Sequence, residues 1–295
     1  MRDRRVTAGE RLRAAIAAER PLQMVGAVDA YQAMLAERVG FRALYLSGAG
    51  VANHSLGLPD LGVTNLGDVL VDAARVTGAT GLPLLVDIDT GWGHAFTIDR
   101  AVRELERAGV AGVQIEDQAG AKRCGHRPGK EVVETAEMAD RVRAAVAARR
   151  DPAFVVCART DAYAVEGLDA AIVRAAAYVD AGADVIFAEA LGDLEEYRRF
   201  TSLVDAPVLA NLTEFGVTPL LGLDELRGAG VAIALYPLSA SRAAARAAER
   251  VYREIRERGT QRGVVETMQT RDELYEVLDY LRFERALDAL RGEEE

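Results

Sequence analysis

The sequence predicts a single (β/α)8 barrel, the TIM-type α/β fold, with extra helices toward its C-terminal end. Three observations lead there. First, four segments repeat one joint, in which a helical pattern halts at Gly and an apolar run begins almost at once: Val39-Gly40 to Ser47, Ala108-Gly109 to Glu116, Ala181-Gly182 to Glu189, and Ala229-Gly230 to Pro237. Gly tolerates the left-handed conformation that closes a helix, so each joint reads as helix to strand. Second, the remaining apolar runs are continuous instead of alternating, as strands buried on both faces are. Third, amphipathic stretches rich in Ala and Arg lie between the runs.

Taken in order, the strands are Leu22 to Val28, the run ending at Ser47, Leu84 to Val86, the run ending at Glu116, Phe154 to Ala158, the run ending at Glu189, Val208 to Ala210, and the run ending at Pro237. Among the helical patterns between them, Thr97 to Ala108, Thr135 to Ala148 and Leu168 to Ala181 are the clearest. Eight such units over 295 residues fit a closed barrel, with a doubly wound open sheet as the main alternative. After the eighth strand, Ser239 to Arg258 and Asp272 to Leu290 add long helices beyond the needs of a barrel. We therefore expect one domain over residues 1–295, with a C-terminal helical extension from about residue 240 that serves a subunit interface.

Composition narrows the function. Apolar runs are short and broken by charges, so no membrane span is expected. The N-terminal arginines have no apolar segment behind them, and Cys124 and Cys157 are the only cysteines, so the expected compartment is the cytoplasm and no disulfide scaffold is expected. Net charge is −10 and basic residues are scattered, which disfavours nucleic acid as a partner. A small anionic substrate then needs a local basic pocket.

In a barrel the C-terminal ends of the strands build the active site. Here the runs end in Asp29, Ser47, Asp87 with Asp89, Glu116 with Asp117, Arg159 with Asp161, Glu189, and Asn211 with Thr213. Burying so many carboxylates near one axis costs on the order of several kcal/mol each unless a cation offsets them. Asp87 and Asp89 stand at alternate positions as the third strand runs out, so both can point into the mouth. Oxygen-only ligands suit Mg²⁺ or Mn²⁺, whereas zinc prefers His and Cys. The competing reading is that one of them caps the following loop as an Asx-turn. Glu116 and Glu189 read as further support for a metal or as general bases, with a helix cap or loop salt bridge as the alternative.

The loop Lys122-Arg123-Cys124-Gly125-His126-Arg127 gathers cations around one thiol. Positive neighbours favour the thiolate, which makes Cys124 a candidate acid–base catalyst or nucleophile. His126 reads as a loop-positioning or carboxylate-orienting group, and Cys157, inside an apolar run, as a small buried hydrophobe. Ser47-Gly48-Ala49-Gly50 reads either as a tight turn or as backbone N–H groups open to an anion.

Taken together, these segments resemble the isocitrate lyase and phosphoenolpyruvate mutase superfamily. The segments that carry the resemblance include Tyr45-Leu46-Ser47-Gly48, Ile115-Glu116-Asp117-Gln118, Lys122 to His126, Ala158-Arg159-Thr160-Asp161-Ala162, Asn211 to Gly216, Leu235 to Ser239 and Met268 to Arg271, and the likeness spans nearly the whole chain. The Lys-Arg-Cys-Gly-His loop is a signature of the lyase branch, and mutases and hydrolases generally lack that Cys. The resemblance implies a barrel that swaps its last helix with a neighbour and assembles as a homotetramer. It also implies Mg²⁺ on Asp87 and Asp89, with Asp60 and Glu116 supporting its waters. Ser47, Gly48, Ala49, Cys124, Gly125, Arg159, Glu189, Asn211, Leu212, Thr213, Arg242 and Arg271 match substrate-binding positions, with Cys124, Glu116, Tyr45 and His126 as catalytic candidates. The family usually has Gly where this chain has Ala49 and Ala where it has Ile88. Phe187 and Pro237 stand where isocitrate lyases carry a bulkier Trp and a Thr, which leaves room for a substrate methyl. The implied activity is cleavage of 2-methylisocitrate to pyruvate and succinate, a step of propionate catabolism by the methylcitrate cycle. Lyases of related 2-hydroxy or 2-oxo dicarboxylates, a phosphoenolpyruvate mutase and a non-catalytic barrel are the rivals.

Overall fold

Eight parallel strands form a closed barrel: β1 (Leu22–Gly26), β2 (Ala43–Leu46), β3 (Leu84–Asp87), β4 (Gly112–Glu116), β5 (Val155–Thr160), β6 (Val185–Ala188), β7 (Val208–Asn211) and β8 (Ile233–Tyr236). This computed structural model describes residues 6–120 and 122–291. Each strand pairs with the next, and β8 returns to β1 with Leu22 opposite Ile233 and Met24 opposite Leu235. The closed barrel, and not the open sheet, is thus the one formed. Closure explains the continuous apolar runs, because one face of each strand looks inward and the other meets the helices.

The alternation inside each strand sorts the core into two layers. Leu22, Met24, Tyr45, Leu85, Cys157, Phe187, Leu209, Ile233 and Leu235 fill the interior, joined by Leu12 and Ile16 of helix Ala8–Ala18. Leu44, Leu46, Val86, Val113, Ile115, Val156 and Ile186 face outward against the ring of helices. That ring includes Leu66–Ala79, Ala95–Arg107, Thr135–Ala148, Leu168–Asp180 and Leu194–Leu203. Truncating a fully buried member such as Leu12 costs about 2–5 kcal/mol. One close approach fixes the β1–β8 seam: a Cβ on Gly26 would lie 1.7 Å from the Pro237 carbonyl oxygen, so only Gly fits.

The helix-to-strand joints form as the sequence implied, with Gly40, Gly109, Gly182 and Gly230 all at positive φ. Asp29 is a helix cap, since its side chain accepts a hydrogen bond from the Gln32 amide. His94 likewise caps helix Ala95–Arg107.

The described chain divides into two compact units between Ser241 and Arg242. The second unit carries most of helix Ser239–Arg258, then Arg271–Leu278 and Tyr280–Arg291. The single long helix expected over Asp272 to Leu290 is thus two helices. Asp279 adopts a left-handed conformation (φ 51°) and its N–H closes the first of them, a role that short polar side chains tolerate. The apolar spacing runs on across the break, so periodicity could not reveal it. Among the described residues no helix is long and apolar enough to cross a membrane.

Candidate active site

The mouth of the barrel is built from the ends of β2 to β7. Asp87 closes β3, and the chain then turns through Asp89 at φ 50°. The Asp87 carboxylate accepts hydrogen bonds from the Gly48 amide (3.1 Å) and the Asp89 amide (3.0 Å). The second bond is the local Asx-type contact that competed with the metal reading, and it holds Asp87 without turning it away from the mouth. Of the two readings of Ser47 to Gly50, the turn is the one formed, and the Gly48 amide is committed to Asp87. Gly48–Gly50 forms a single helical turn, with Ala49 half-buried within it.

Asp89 sits beside Asp87, and a Cβ added at Gly48 would lie 3.0 Å from Asp89 Oδ1 and 3.2 Å from Asp87 Oδ2. Lys122 bridges outward from this pair, its Nζ 2.6 Å from Asp89 Oδ1 and 2.5 Å from Asp60 Oδ1. Burial and the adjacent Asp89 charge push the Asp87 carboxyl up to about 6. Glu116, at the end of β4, is 1% exposed and its Oε1 has no hydrogen-bond partner; burial holds its pKa well above the ordinary carboxylate range, Arg159 and Lys122 notwithstanding.

These observations test whether a divalent cation fits. Asp60, Asp87, Asp89, Glu116, Asp161 and Glu189 supply six carboxylates against the cations Lys122, Lys130 and Arg159. Among the described residues no three His, Cys, Asp or Glu side chains could hold an ion by themselves. A pair of carboxylates with excess negative charge and an unpartnered carboxylate oxygen nearby suits an ion that takes one or two protein ligands and fills the rest with water and substrate oxygens. The residues fit such a group.

Opposite the acidic pair, Arg159 rises from β5 into a dense charge network. Its Nε donates to Asp161 Oδ2 (2.9 Å) and its Nη2 to Asp161 Oδ1 (3.1 Å), while Glu116 Oε2 and Glu189 Oε2 lie 3.5 and 3.4 Å away. The guanidinium carbon stands 5.2 Å from the centre of the Phe187 ring, and Phe187 is buried in β6. Asp161 thus takes two of the guanidinium N–H bonds. Burial would raise the Asp161 carboxyl, but Arg159 and Lys130 hold it below its ordinary value. Glu189 is likewise lowered against its own burial, chiefly by Arg159 and then by His126.

The loop after β4 brings the thiol in. Its base is zipped, with the Ala119 amide on the Glu131 carbonyl and the Val133 amide on the Asp117 carbonyl, so residues 122–130 project from a closed base. Cys124 stands on this loop over a cavity of about 700 Å³ that Asp60, Lys122, Arg123 and Arg127 also line. Gly125 is wedged against Arg159 and Glu189. His126 accepts the Val217 amide at Nδ1 (2.9 Å), which places its proton on Nε2, 2.8 Å from Glu189 Oε1. Both ring nitrogens are therefore engaged, and the ring ties the β4 loop to the segment after β7. Asn211, Leu212 and Thr213 are buried at the end of β7, where Asn211 Nδ2 reaches Glu189.

Tyr45 lies deeper, inside the barrel. Its hydroxyl donates to Gln114 Oε1 (2.6 Å), and burial, then the Asp87 charge, raises it well above the ordinary phenol value. Ser47 and Pro237 are buried at the ends of β2 and β8. Arg242 and Arg271 belong to the second unit.

Three residues that strand-end reasoning did not place in the site belong to its fabric. Lys122 was legible only as one loop cation among several, Gln114 as a residue within an apolar run, and Lys130 carried no signal at all.

The phosphoenolpyruvate phosphomutase family model matches residues 12–256. The chain belongs to this family. It is similar over 96% of its length to the 2-methylisocitrate lyases of Salmonella typhimurium strain LT2 (60% identical) and Escherichia coli strain K12 (59%), in each case covering 96% of the relative. Among solved structures it resembles an oxaloacetate acetylhydrolase bound to 3,3-difluorooxalacetate, with TM-score 0.90, 32% identity and 99% of each chain covered. It also resembles a phosphonopyruvate hydrolase in complex with oxalate and Mg²⁺, with TM-score 0.84, 30% identity, and 96% and 98% of the two chains covered. The superfamily resemblance read from the strand ends and the Cys124 loop is therefore borne out.

Proposed function

We infer that the chain is a carbon–carbon lyase that cleaves 2-methylisocitrate to pyruvate and succinate. The observation that carries this reading is the Cys124 loop, in which the next residue, Gly125, lies against Arg159 and Glu189 and Lys122 reaches Asp89, in a chain 60% identical to a 2-methylisocitrate lyase. A proton-donating thiol suits a reaction that leaves a carbanion to be quenched; a phosphoryl transfer within one molecule has no need of it.

Mg²⁺, or Mn²⁺ in its place, would be held by Asp87 and Asp89 with Asp60 and Glu116 behind them, and when bound supplies positive charge at the substrate oxygen that becomes the pyruvate carbonyl. Glu116 takes the hydroxyl proton, because its buried Oε1 has no hydrogen-bond partner and can accept one. Tyr45 is not that base, since its own proton is committed to Gln114. The bond between the hydroxyl carbon and its neighbour then breaks, and its electron pair passes to the succinate half as an enolate-like dianion. Cys124 delivers a proton to that carbon. Arg159 binds a substrate carboxylate; Ser47, Gly48, Ala49, Gly125, Glu189, Asn211, Leu212 and Thr213 line the pocket; His126 orients the loop; and the family resemblance gives Arg242 and Arg271 as further substrate-binding positions. Phe187 and Pro237 leave room for the methyl group.

We also propose a cytoplasmic enzyme of propionate catabolism, formed as one barrel domain with its C-terminal extension and assembled as a helix-swapped tetramer. Exposed Leu281, Phe283, Leu287 and Leu290 on helix Tyr280–Arg291 support an interface there. The deciding experiment incubates the protein with Mg²⁺ and, separately, 2-methylisocitrate, isocitrate and phosphoenolpyruvate, and identifies products by mass. Pyruvate with succinate from the first substrate is expected. Glyoxylate from isocitrate as the preferred reaction, or phosphonopyruvate from the third, would overturn it.

A further inference from the structure

We propose that Lys130 is a positioning residue that holds the Cys124 loop down over the barrel mouth; this rests on the lyase reading above. Lys130 lies five residues beyond Gly125, yet its side chain is 1% exposed. Its ammonium donates to the Gly125 carbonyl at 2.5 Å and to Asp161 Oδ1 at 2.7 Å. A buried ammonium ion needs partners for its charge and its N–H bonds, and these two meet that need only when the loop tip is in place. Lifting the loop would withdraw the Gly125 carbonyl and leave the cation partly unsatisfied. The closed position is thus the one in which Lys130 is satisfied.

The second partner ties this latch to the substrate site. Asp161 is the same carboxylate that Arg159 grips through two N–H bonds, so Lys130 connects the backbone beside Cys124 to the group that binds substrate carboxylates. Lys130 reaches no reacting atom. It acts through Gly125, the residue next to the thiol, and through Asp161. The zipped loop base restrains residues 119 and 131, and the Gln118 side chain, paired with the Arg123 amide and carbonyl, restrains the near side. At the far side, His126 is held between Val217 and Glu189, and Lys130 fixes the Gly125 carbonyl beside the thiol.

The test uses full-length Lys130→Met and Lys130→Gln beside the wild-type protein. In Lys130→Met, kcat for 2-methylisocitrate falls about a hundredfold, the scale of a misplacement near 1 Å, while KM changes far less. Cys124 is alkylated about tenfold faster by iodoacetamide, since losing a charge-assisted hydrogen bond loosens the loop, with buried Cys157 as internal control. In D₂O the wild-type protein yields succinate deuterated on one face, and Lys130→Met loses that stereospecificity. Lys130→Gln, which keeps one donor for the Gly125 carbonyl, falls between the two and serves as the test if Lys130→Met does not fold. Wild-type kcat, alkylation rate and deuterium stereochemistry in a folded variant would overturn the proposal. A wild-type protein inert toward 2-methylisocitrate would instead overturn the lyase reading.

Discussion

Gly125→Ala isolates how tightly the thiol loop is seated. A Cβ at this position would lie 2.4 Å from Arg159 Nη2 and 2.6 Å from Glu189 Cδ, where ordinary contact begins near 3.4 Å. About 1 Å of movement is therefore required. Neither neighbour can give way cheaply: Arg159 is gripped by Asp161, and Glu189 is fully buried between Arg159, His126 and Asn211. The loop, exposed at Arg123 and Arg127, moves instead and carries Cys124 with it. Misplacing a catalytic group by about 1 Å costs roughly a hundredfold in rate, or about 2.7 kcal/mol of transition-state stabilisation. Because the strain is relieved at the surface, stability should fall by about 1 kcal/mol or less, a Tm shift of about 2–4 °C. Steady-state kinetics of pyruvate release and calorimetry on the same preparation measure both. A kcat/KM equal to wild type would refute the reasoning, as would a Tm loss large enough to explain the inactivity.

Other outcomes follow from the same geometry. Cys124→Ser should lower kcat by about a hundredfold or more with circular dichroism unchanged, the scale of losing a general acid; undiminished turnover would remove Cys124 from the reaction. Exhaustive chelation with EDTA should abolish cleavage and added Mg²⁺ restore it, whereas activity that survives dialysis against chelator would contradict the Asp87–Asp89 site. Phe187→Trp should lower the preference for 2-methylisocitrate over isocitrate by about tenfold or more, as filling a methyl-sized pocket does, read from the ratio of kcat/KM values. Stability should also decline on the alkaline side. Burial raises the pKa of Cys157, Tyr45, Tyr178 and Tyr197 above their unfolded values of about 8.5 and about 10. The stability this represents is complete below those unfolded values and is lost as pH climbs past them toward the folded ones. Urea midpoints should therefore hold steady from about pH 7 to about pH 8.5 and fall beyond about pH 9.5; a flat profile to pH 11 would contradict the burial of these groups.

Much of the site was legible because barrel geometry turns a position in the chain into a position in space. Once Leu84 to Val86 is recognised as a strand, Asp87 and Asp89 must emerge at the mouth, and the same holds for Glu116, Arg159, Glu189 and Asn211. Cys124 was legible by its charged neighbours as a candidate reactive thiol, and the family resemblance supplied the reaction proposed for it. Less was legible where a polar residue's role depends on which loop folds back over it. His126 gave no hint that Val217, 91 residues away, fixes its proton. Asp29, by contrast, shared the strand-end pattern and caps a helix.

Local pattern, read alone, determined the strands, their burial on both faces and the list of groups at the mouth, because periodicity and glycine stops are properties of short segments. It also determined the excess of carboxylates that calls for a cation. The pairings among those groups only the tertiary structure decided: Asp161 gripping Arg159, Tyr45 spending its proton on Gln114, Lys122 joining Asp60 to Asp89, and Lys130 turned inward to the Gly125 carbonyl. These contacts depend on distances across the barrel axis and on the path of one loop, and no spacing along the chain encodes them.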